Sequence, residues 1–292
     1  MKRLVLIAAF LLAACQQEIQ VNVPPPVVTS GYFTITPTET PQPTPVPVTP
    51  TPKSFPPPSA LPAGPVSLIT IGDSLTQGDG DDTGRGYPGR LLELVTLLRP
   101  GSTLTNFGQS GWTSDALIAG DQGFLGQLPR AVDEARSAVS NGRGAVVFVW
   151  IGSNDLWYLY EYGGDVTAEQ ESEDLKRFEA NIIKILVDLR DAGAQVIIAQ
   201  LDDQSQRPVA LAGEAFTAIP PDELARMSEQ VKRYNTIITE KAAQYGALTV
   251  DFYNSDIFTN PETLADDGNH PNPAGYDLIT QAWYKQLITI LP

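Results

Sequence analysis

The sequence predicts a three-layer α/β/α sandwich built on a mostly parallel, five-stranded sheet. Three observations carry this expectation. Beyond residue 65, short apolar runs alternate with longer stretches of helical periodicity. The runs are apolar at consecutive positions, as strands covered on both faces require. Polar, glycine-bearing segments follow the runs directly, where open α/β sheets place their ligands. Right-handed crossovers then distribute the helices over both faces.

The first strand is read at Val66-Ser67-Leu68-Ile69-Thr70-Ile71, followed by a Gly-Asp-Ser turn. A helix is predicted from Tyr87 to Leu98, with Leu91, Leu92, Val95 and Leu98 on one face. Thr103 to Phe107 reads as the second strand, and Ala145 to Ile151 as the third, apolar on both faces. A long helix follows over Ser172 to Ala192, with Phe178, Ile182, Ile185, Leu186 and Leu189 at helical spacing. Gln195 to Leu201 is the fourth strand, Glu223 to Tyr245 a helix, Leu248 to Tyr253 the fifth strand, and Pro273 to Ile290 the last helix. The connection from Asp202 to Pro220 is long and reads as a rim segment.

Ahead of this domain, taken as residues 66–292, the chain has two other characters. Residues 1–14 read as a signal peptide: Met1-Lys2-Arg3 is basic, and the apolar run Leu4 to Leu12 is shorter than the roughly 20 residues a spanning helix needs. Leu12-Ala13-Ala14-Cys15 resembles a bacterial lipobox, which implies cleavage before Cys15 and lipid attachment to its thiol; the plainer reading is a signal peptide with an incidental cysteine. Residues 15–65 then read as a disordered Pro/Thr-rich stalk. Fifteen of the 25 prolines lie between Pro24 and Pro65, and proline withholds the backbone donor that helix and sheet require, leaving polyproline II. The expected location is the extracytoplasmic face of a bacterial membrane, reached through the N-terminal lipid.

Composition narrows the chemistry. A formal charge of -15 repels nucleic acid and anionic headgroups, so no nucleic-acid partner is expected. One cysteine permits no intrachain disulfide. With one histidine, His270, a zinc site would have to rest on carboxylates, and neither metal nor cofactor is expected. A histidine base working near neutral pH must be His270. Nothing in the sequence sets the oligomeric state.

Four short blocks remain: Gly72-Asp73-Ser74-Leu75 after the first strand, Gly108 in Asn106-Phe107-Gly108-Gln109-Ser110-Gly111 after the second, Gly152-Ser153-Asn154-Asp155 after the third, and Asp267-Gly268-Asn269-His270 before the last helix. In this order they resemble the signature blocks of the SGNH/GDSL hydrolase family, whose fold is flavodoxin-like. The departure is Gln109, where many members carry a small apolar residue. The resemblance implies an oxyanion hole formed by the N–H groups of Ser74 and Gly108 and the side-chain amide of Asn154.

The residues support a hydrolase independently. A serine hydroxyl needs an adjacent base, and histidine serves best when a carboxylate orients it. Ser74 is therefore read as nucleophile, His270 as general base and then acid, and Asp267 as its orienter. The competing readings are a turn serine, a surface histidine at a helix start, and an aspartate favoured by a helix-leading loop. Asp73 and Asp155 are read as fixing local backbone. The Gly-x-Ser-x-Gly elbow is absent, and Ser110 is read as a decoy.

The expected activity is hydrolysis of carboxylic esters through an acyl-serine. An acyltransferase using the same triad and an inactive binding module are the alternatives. Trp157, Tyr158, Tyr160 and Tyr162 either line a pocket or pack their own segment, and the sequence does not separate carbohydrate, lipid and small-alcohol esters.

Overall fold

The computed structural model describes residues 53–161, 165–213 and 219–292. The signal segment, Cys15, most of the proline-rich tract and Tyr162 lie outside the described residues. Five parallel strands form the main sheet in the order β2-β1-β5-β6-β7: β1 (Val66–Gly72), β2 (Thr103–Asn106), β5 (Gly144–Trp150), β6 (Gln195–Gln200) and β7 (Leu248–Asp251). Every residue of β1 and β5 is buried, which is why their side chains show no alternation. A separate two-stranded hairpin, β3 (Gly120–Asp121) and β4 (Phe124–Leu125), is antiparallel.

The helices are α1 (Ser74–Gln77), α2 (Gly86–Leu98), α3 (Ser114–Ala119), α4 (Gln127–Ser140), α5 (Ser153–Glu161), α6 (Ala168–Asp191), α7 (Pro208–Ala212), α8 (Pro221–Tyr245) and α9 (Pro273–Leu287). On one face of the sheet α2 packs on α9; on the other α4, α6 and α8 contact one another in series. The first face is closed by an aromatic cluster. Trp150 stacks on Phe252 at 4.3 Å between centroids, and Trp283 meets Tyr87 at 5.4 Å and Phe148 at 5.5 Å. On the second face, Phe178 of α6 stacks on Tyr234 of α8 at 3.8 Å.

The sandwich and its parallel sheet follow the sequence pattern, with differences at the ends. Helix α6 starts four residues before the predicted Ser172, because Thr167 and Gln170 form a capping box whose polar first turn carries no apolar periodicity. Helices α3, α4 and α5 and the hairpin have no counterpart in the sequence reading. The buried face of α4 is Leu128, Ala131, Val132, Ala135 and Ala138, too rich in alanine to stand out as a hydrophobic stripe.

Residues 53–65, assigned by their proline content to the stalk, lie against the α/β body. Leu61 is buried and its N–H donates to Ile290 O at 2.8 Å. Arg99 donates to Pro62 O and Gly64 O at 2.9 and 2.8 Å, and Phe55 meets Tyr245 edge-on. Proline lacks the N–H but keeps its carbonyl, and arginine donors satisfy it.

Candidate active site

The site lies beyond the carboxyl ends of β1, β2 and β5. A Cβ on Gly72 would sit 2.1 Å from Trp150 O, so only glycine closes this turn. Both backbone groups of Gly72 are clamped by the Gln127 side chain, at 2.7 and 2.8 Å. Asp73 caps α1 by accepting from Leu75 N–H at 3.0 Å, which leaves Ser74 at the first helical position. Asp73 is fully buried, and burial pushes its pKa up to about 7 against the opposing Leu75 N–H and Arg207 charge.

Ser74 Oγ is 2.9 Å from His270 Nε2, and His270 Nδ1 is 2.6 Å from Asp267 Oδ2. The other oxygen of Asp267 accepts the N–H groups of Asn269 and His270, each at 2.9 Å. Burial alone would raise the Asp267 pKa; the imidazole and these two N–H donors outweigh it and hold the carboxyl below its ordinary value. The loop that presents the pair turns through Gly268 at φ 63° and closes with Ala265 N–H on His270 O at 2.8 Å. Asn272 then caps α9. The three residues read as nucleophile, base and orienter are thus brought together in one hydrogen-bonded line.

The residues expected to form an oxyanion hole do not all converge. Gly108 is turned away: its N–H donates to Asn106 Oδ1 at 2.9 Å, and a Cβ there would lie 2.4 Å from Gln77 N, at the end of α1. It is Gly111, at φ 78°, that lines the cleft with Ser74, Asn154 and His270. Among the described residues no acceptor is paired with the N–H of Ser74 or of Gly111. Asn154 also lines the cleft; one of its amide hydrogens is donated to Trp112 O at 3.0 Å, leaving the other. The segment carries two glycines three residues apart, and the structure separates a packing glycine from a cleft glycine.

Asp155 does fix backbone. It accepts from Ser114 N and Oγ at 2.8 and 2.5 Å, tying α5 to α3, and burial raises its pKa to about 6. Ser110 lines the cleft, but the imidazole pairs with Ser74. Of the aromatic residues, Trp157 and Tyr158 line the cleft, while Tyr160 is buried and donates to Glu171 at 2.8 Å.

The 202–213 segment does more than form a rim. Arg207, 2% exposed, makes a two-pronged pair with Asp202 at 2.8 and 2.7 Å. Its remaining arm donates to Asn269 Oδ1 at 2.8 Å, and Val209 N–H donates to Gly268 O at 3.1 Å. The loop bearing His270 is therefore held from behind by a buried guanidinium that itself lines the cleft. Neither Arg207 nor Gln127 emerged from the sequence, since their partners lie 62 and 55 residues away. Among the described residues, no three His, Cys, Asp or Glu side chains gather as a metal site would require.

The arrangement can take a proton from a hydroxyl, deliver it to a leaving group and hold a developing oxyanion. The comparisons agree with that chemistry. Residues 70–278 match the GDSL-like Lipase/Acylhydrolase family. The chain is 24% identical over 229 residues to the uncharacterized protein YpmR of Bacillus subtilis, covering 76% of this chain and 81% of that one. It is 22% identical over 223 residues to an arylesterase of Vibrio mimicus, covering 76% and 88%. Among solved structures it shares the fold of an acetylxylan esterase from Geobacillus stearothermophilus, with a TM-score of 0.52 and 20% identity over 77% of this chain and 95% of the other.

Proposed function

Because the chain belongs to the GDSL-like lipase/acylhydrolase family and is an esterase, we propose that it hydrolyses short acyl esters of carbohydrate, lipid or small alcohol through an acyl enzyme on Ser74. The observation that carries this reading is the line from Ser74 Oγ to His270 to Asp267, at 2.9 and 2.6 Å. His270 Nε2 takes the hydroxyl proton as Oγ attacks the ester carbonyl. Asp267 keeps the imidazole in the right tautomer and stabilises the imidazolium. The N–H groups of Ser74 and Gly111 and the Asn154 amide are the donors for the tetrahedral oxyanion; Gly111 takes the place the sequence had allotted to Gly108. The imidazolium then protonates the leaving alcohol. A water, deprotonated by the same imidazole, releases the acid and restores Ser74.

The cleft at Ser74 is about 210 Å³, smaller than the roughly 300–1,000 Å³ of ordinary small-molecule sites, which favours a short acyl group. The names of similar proteins, an arylesterase and an acetylxylan esterase, point the same way. We further propose that Cys15 carries a lipid and that the enzyme works outside the cytoplasm; the basic n-region and the cysteine after Leu12-Ala13-Ala14 support this.

The test is turnover of p-nitrophenyl acetate. Ser74→Ala and His270→Ala are each expected to lower kcat by roughly 10⁴- to 10⁶-fold, the double variant little further. A serine-directed phosphonate should add its mass to the Ser74 peptide. Label on another serine, or substantial activity in His270→Ala, refutes the assignment. Cys15→Ser should move the protein out of the membrane fraction with activity intact; retention there would refute the lipid.

A further inference from the structure

The cleft does not end at the triad. Ser110, Gly111 and Tyr158 form one of its walls and also one end of a second hollow of about 430 Å³, which runs to the β3–β4 hairpin. Thr113, Asp115 and Tyr158 are shared in turn with a third hollow of about 550 Å³ that reaches Glu173 and Arg177 on α6. The shared walls make one trough leading away from the nucleophile.

Two features mark this trough as built for a ligand. The Tyr158 hydroxyl donates to Gly111 O at 3.0 Å, which fixes the ring at the junction of the three hollows with 40% of the residue exposed. The hairpin turns through Gln122 and Gly123 at φ 51° and 86°, the mirror-image turn that matches strand twist and holds the two strands in register. It sets Phe124, 63% exposed, into the trough wall.

We propose that the trough is a subsite for the alcohol half of the ester, and that this half is a neutral oligosaccharide of several units. The inference rests on the esterase reading and names its substrate class. Beside the rings of Tyr158 and Phe124 stand acceptors, Asp121, Gln109 and Gln122, and the Asp115 carboxylate, which Arg177 and Asn181 hold at 3.3 and 2.8 Å. Sugar hydroxyls donate to carboxylates and amides, and the C–H faces of the sugar rest on aromatic rings. A lipid chain laid here would strip water from the same carboxylates without replacing it. A polyanionic polymer would be repelled by them and by the net charge of -15. Each hollow alone is of small-molecule size, so together they accept more than one ring. Hydrolysis leaves the hydroxyl on the acyl group and returns the proton to the sugar oxygen, which stays in the trough until the chain departs.

The experiment uses the full-length protein with p-nitrophenyl acetate and with acetylated xylo-oligosaccharides of increasing length. kcat/KM should rise with sugar length and then level off. Phe124→Ala and Asp121→Ala should raise KM for the longer oligosaccharides about tenfold while leaving p-nitrophenyl acetate turnover unchanged. Unacetylated xylo-oligosaccharide should titrate tryptophan fluorescence in the wild type and more weakly in Phe124→Ala, while oligogalacturonate should give no change. Length-independent kinetics, equal loss on all substrates in the hairpin variants, or preference for long-chain p-nitrophenyl esters overturns the subsite and leaves the esterase standing. Absence of turnover on every ester removes the esterase reading, and the fluorescence titration then decides the subsite by itself.

Discussion

Arg207 keeps its charge where charges are costly, 2% exposed and with every arm committed. Two arms neutralise Asp202 and the third holds Asn269, the neighbour of His270. Arg207 therefore acts on the His270 loop by position alone. Arg207→Ala strands a buried carboxylate and is expected to cost about 3–5 kcal/mol of stability. Arg207→Lys keeps the charge but cannot span Asp202 and Asn269 together. It should lower kcat roughly 10- to 100-fold with KM little moved and near-UV circular dichroism preserved; an unchanged kcat would show that the His270 loop needs no such tether. Asp73 gives a second expectation. Its carboxyl, raised by burial from 3.8 to about 7, makes the folded state hold a proton the unfolded chain has lost. Stability therefore falls as pH rises from about 3.8 to about 7. Asp73→Asn keeps an oxygen for Leu75 N–H and removes the penalty, so its urea midpoint should exceed wild type at pH 8 and converge with it near pH 4. A midpoint below wild type at pH 8 would contradict the burial argument. That Ser74, Asp267 and His270 would meet was legible in the sequence because each sits in a short local pattern. Arg207 was not, since its role exists only after the chain has folded back. Gly108 was misread because two glycines of one segment look alike until the backbone shows which N–H is taken.

At the scale of elements, the strands and long helices were legible where burial is complete and the residues large. β1 and β5 are buried throughout and mostly apolar, and α6 and α8 carry their large side chains at helical spacing. The hairpin and α3 are too short to show a period, and α4 buries mostly alanine. Yet α4 contributes Gln127, 0% exposed, whose amide completes the hydrogen bonding of Gly72 where β1 gives way to Asp73 and Ser74. The helix is thus a brace for the turn that aims Ser74. Gln127→Ala would leave the buried N–H of Gly72 without its partner, a cost of about 1–3 kcal/mol, while the Gly72 carbonyl keeps the Gln109 N–H at 3.1 Å. A lowered urea midpoint together with a lowered kcat is expected. Loss of stability with kcat untouched would make α4 a packing element only.

At the scale of the whole molecule, the described chain enters the α/β body at the end opposite the cleft. Leu61 and Val66, the first residue of β1, both lie against Gly144, the first residue of β5, whereas Ser74 and Gly152 follow the ends of the same strands. Residues 53–65 are held there by the Leu61 N–H bond to Ile290, by the two carbonyls that Arg99 binds, and by Arg190 Nη2 on Pro56 O at 3.2 Å. The proposed N-terminal anchor would then join the α/β body at this pole, away from Ser74 and from the proposed subsite. These contacts make residues 53–65, at the end of the proline-rich tract, part of the α/β body. A protein lacking residues 1–52 should therefore melt as the full chain does and keep its kcat/KM. Removing residues 1–65 exposes the surface that Leu61 covers; Leu61→Ala alone should cost about 2–5 kcal/mol, with kcat per folded molecule unaltered because the contact is remote from Ser74. Thermal melts and active-site titration of the two truncations decide the matter: equal melting would mean that residues 53–65 only rest on the surface.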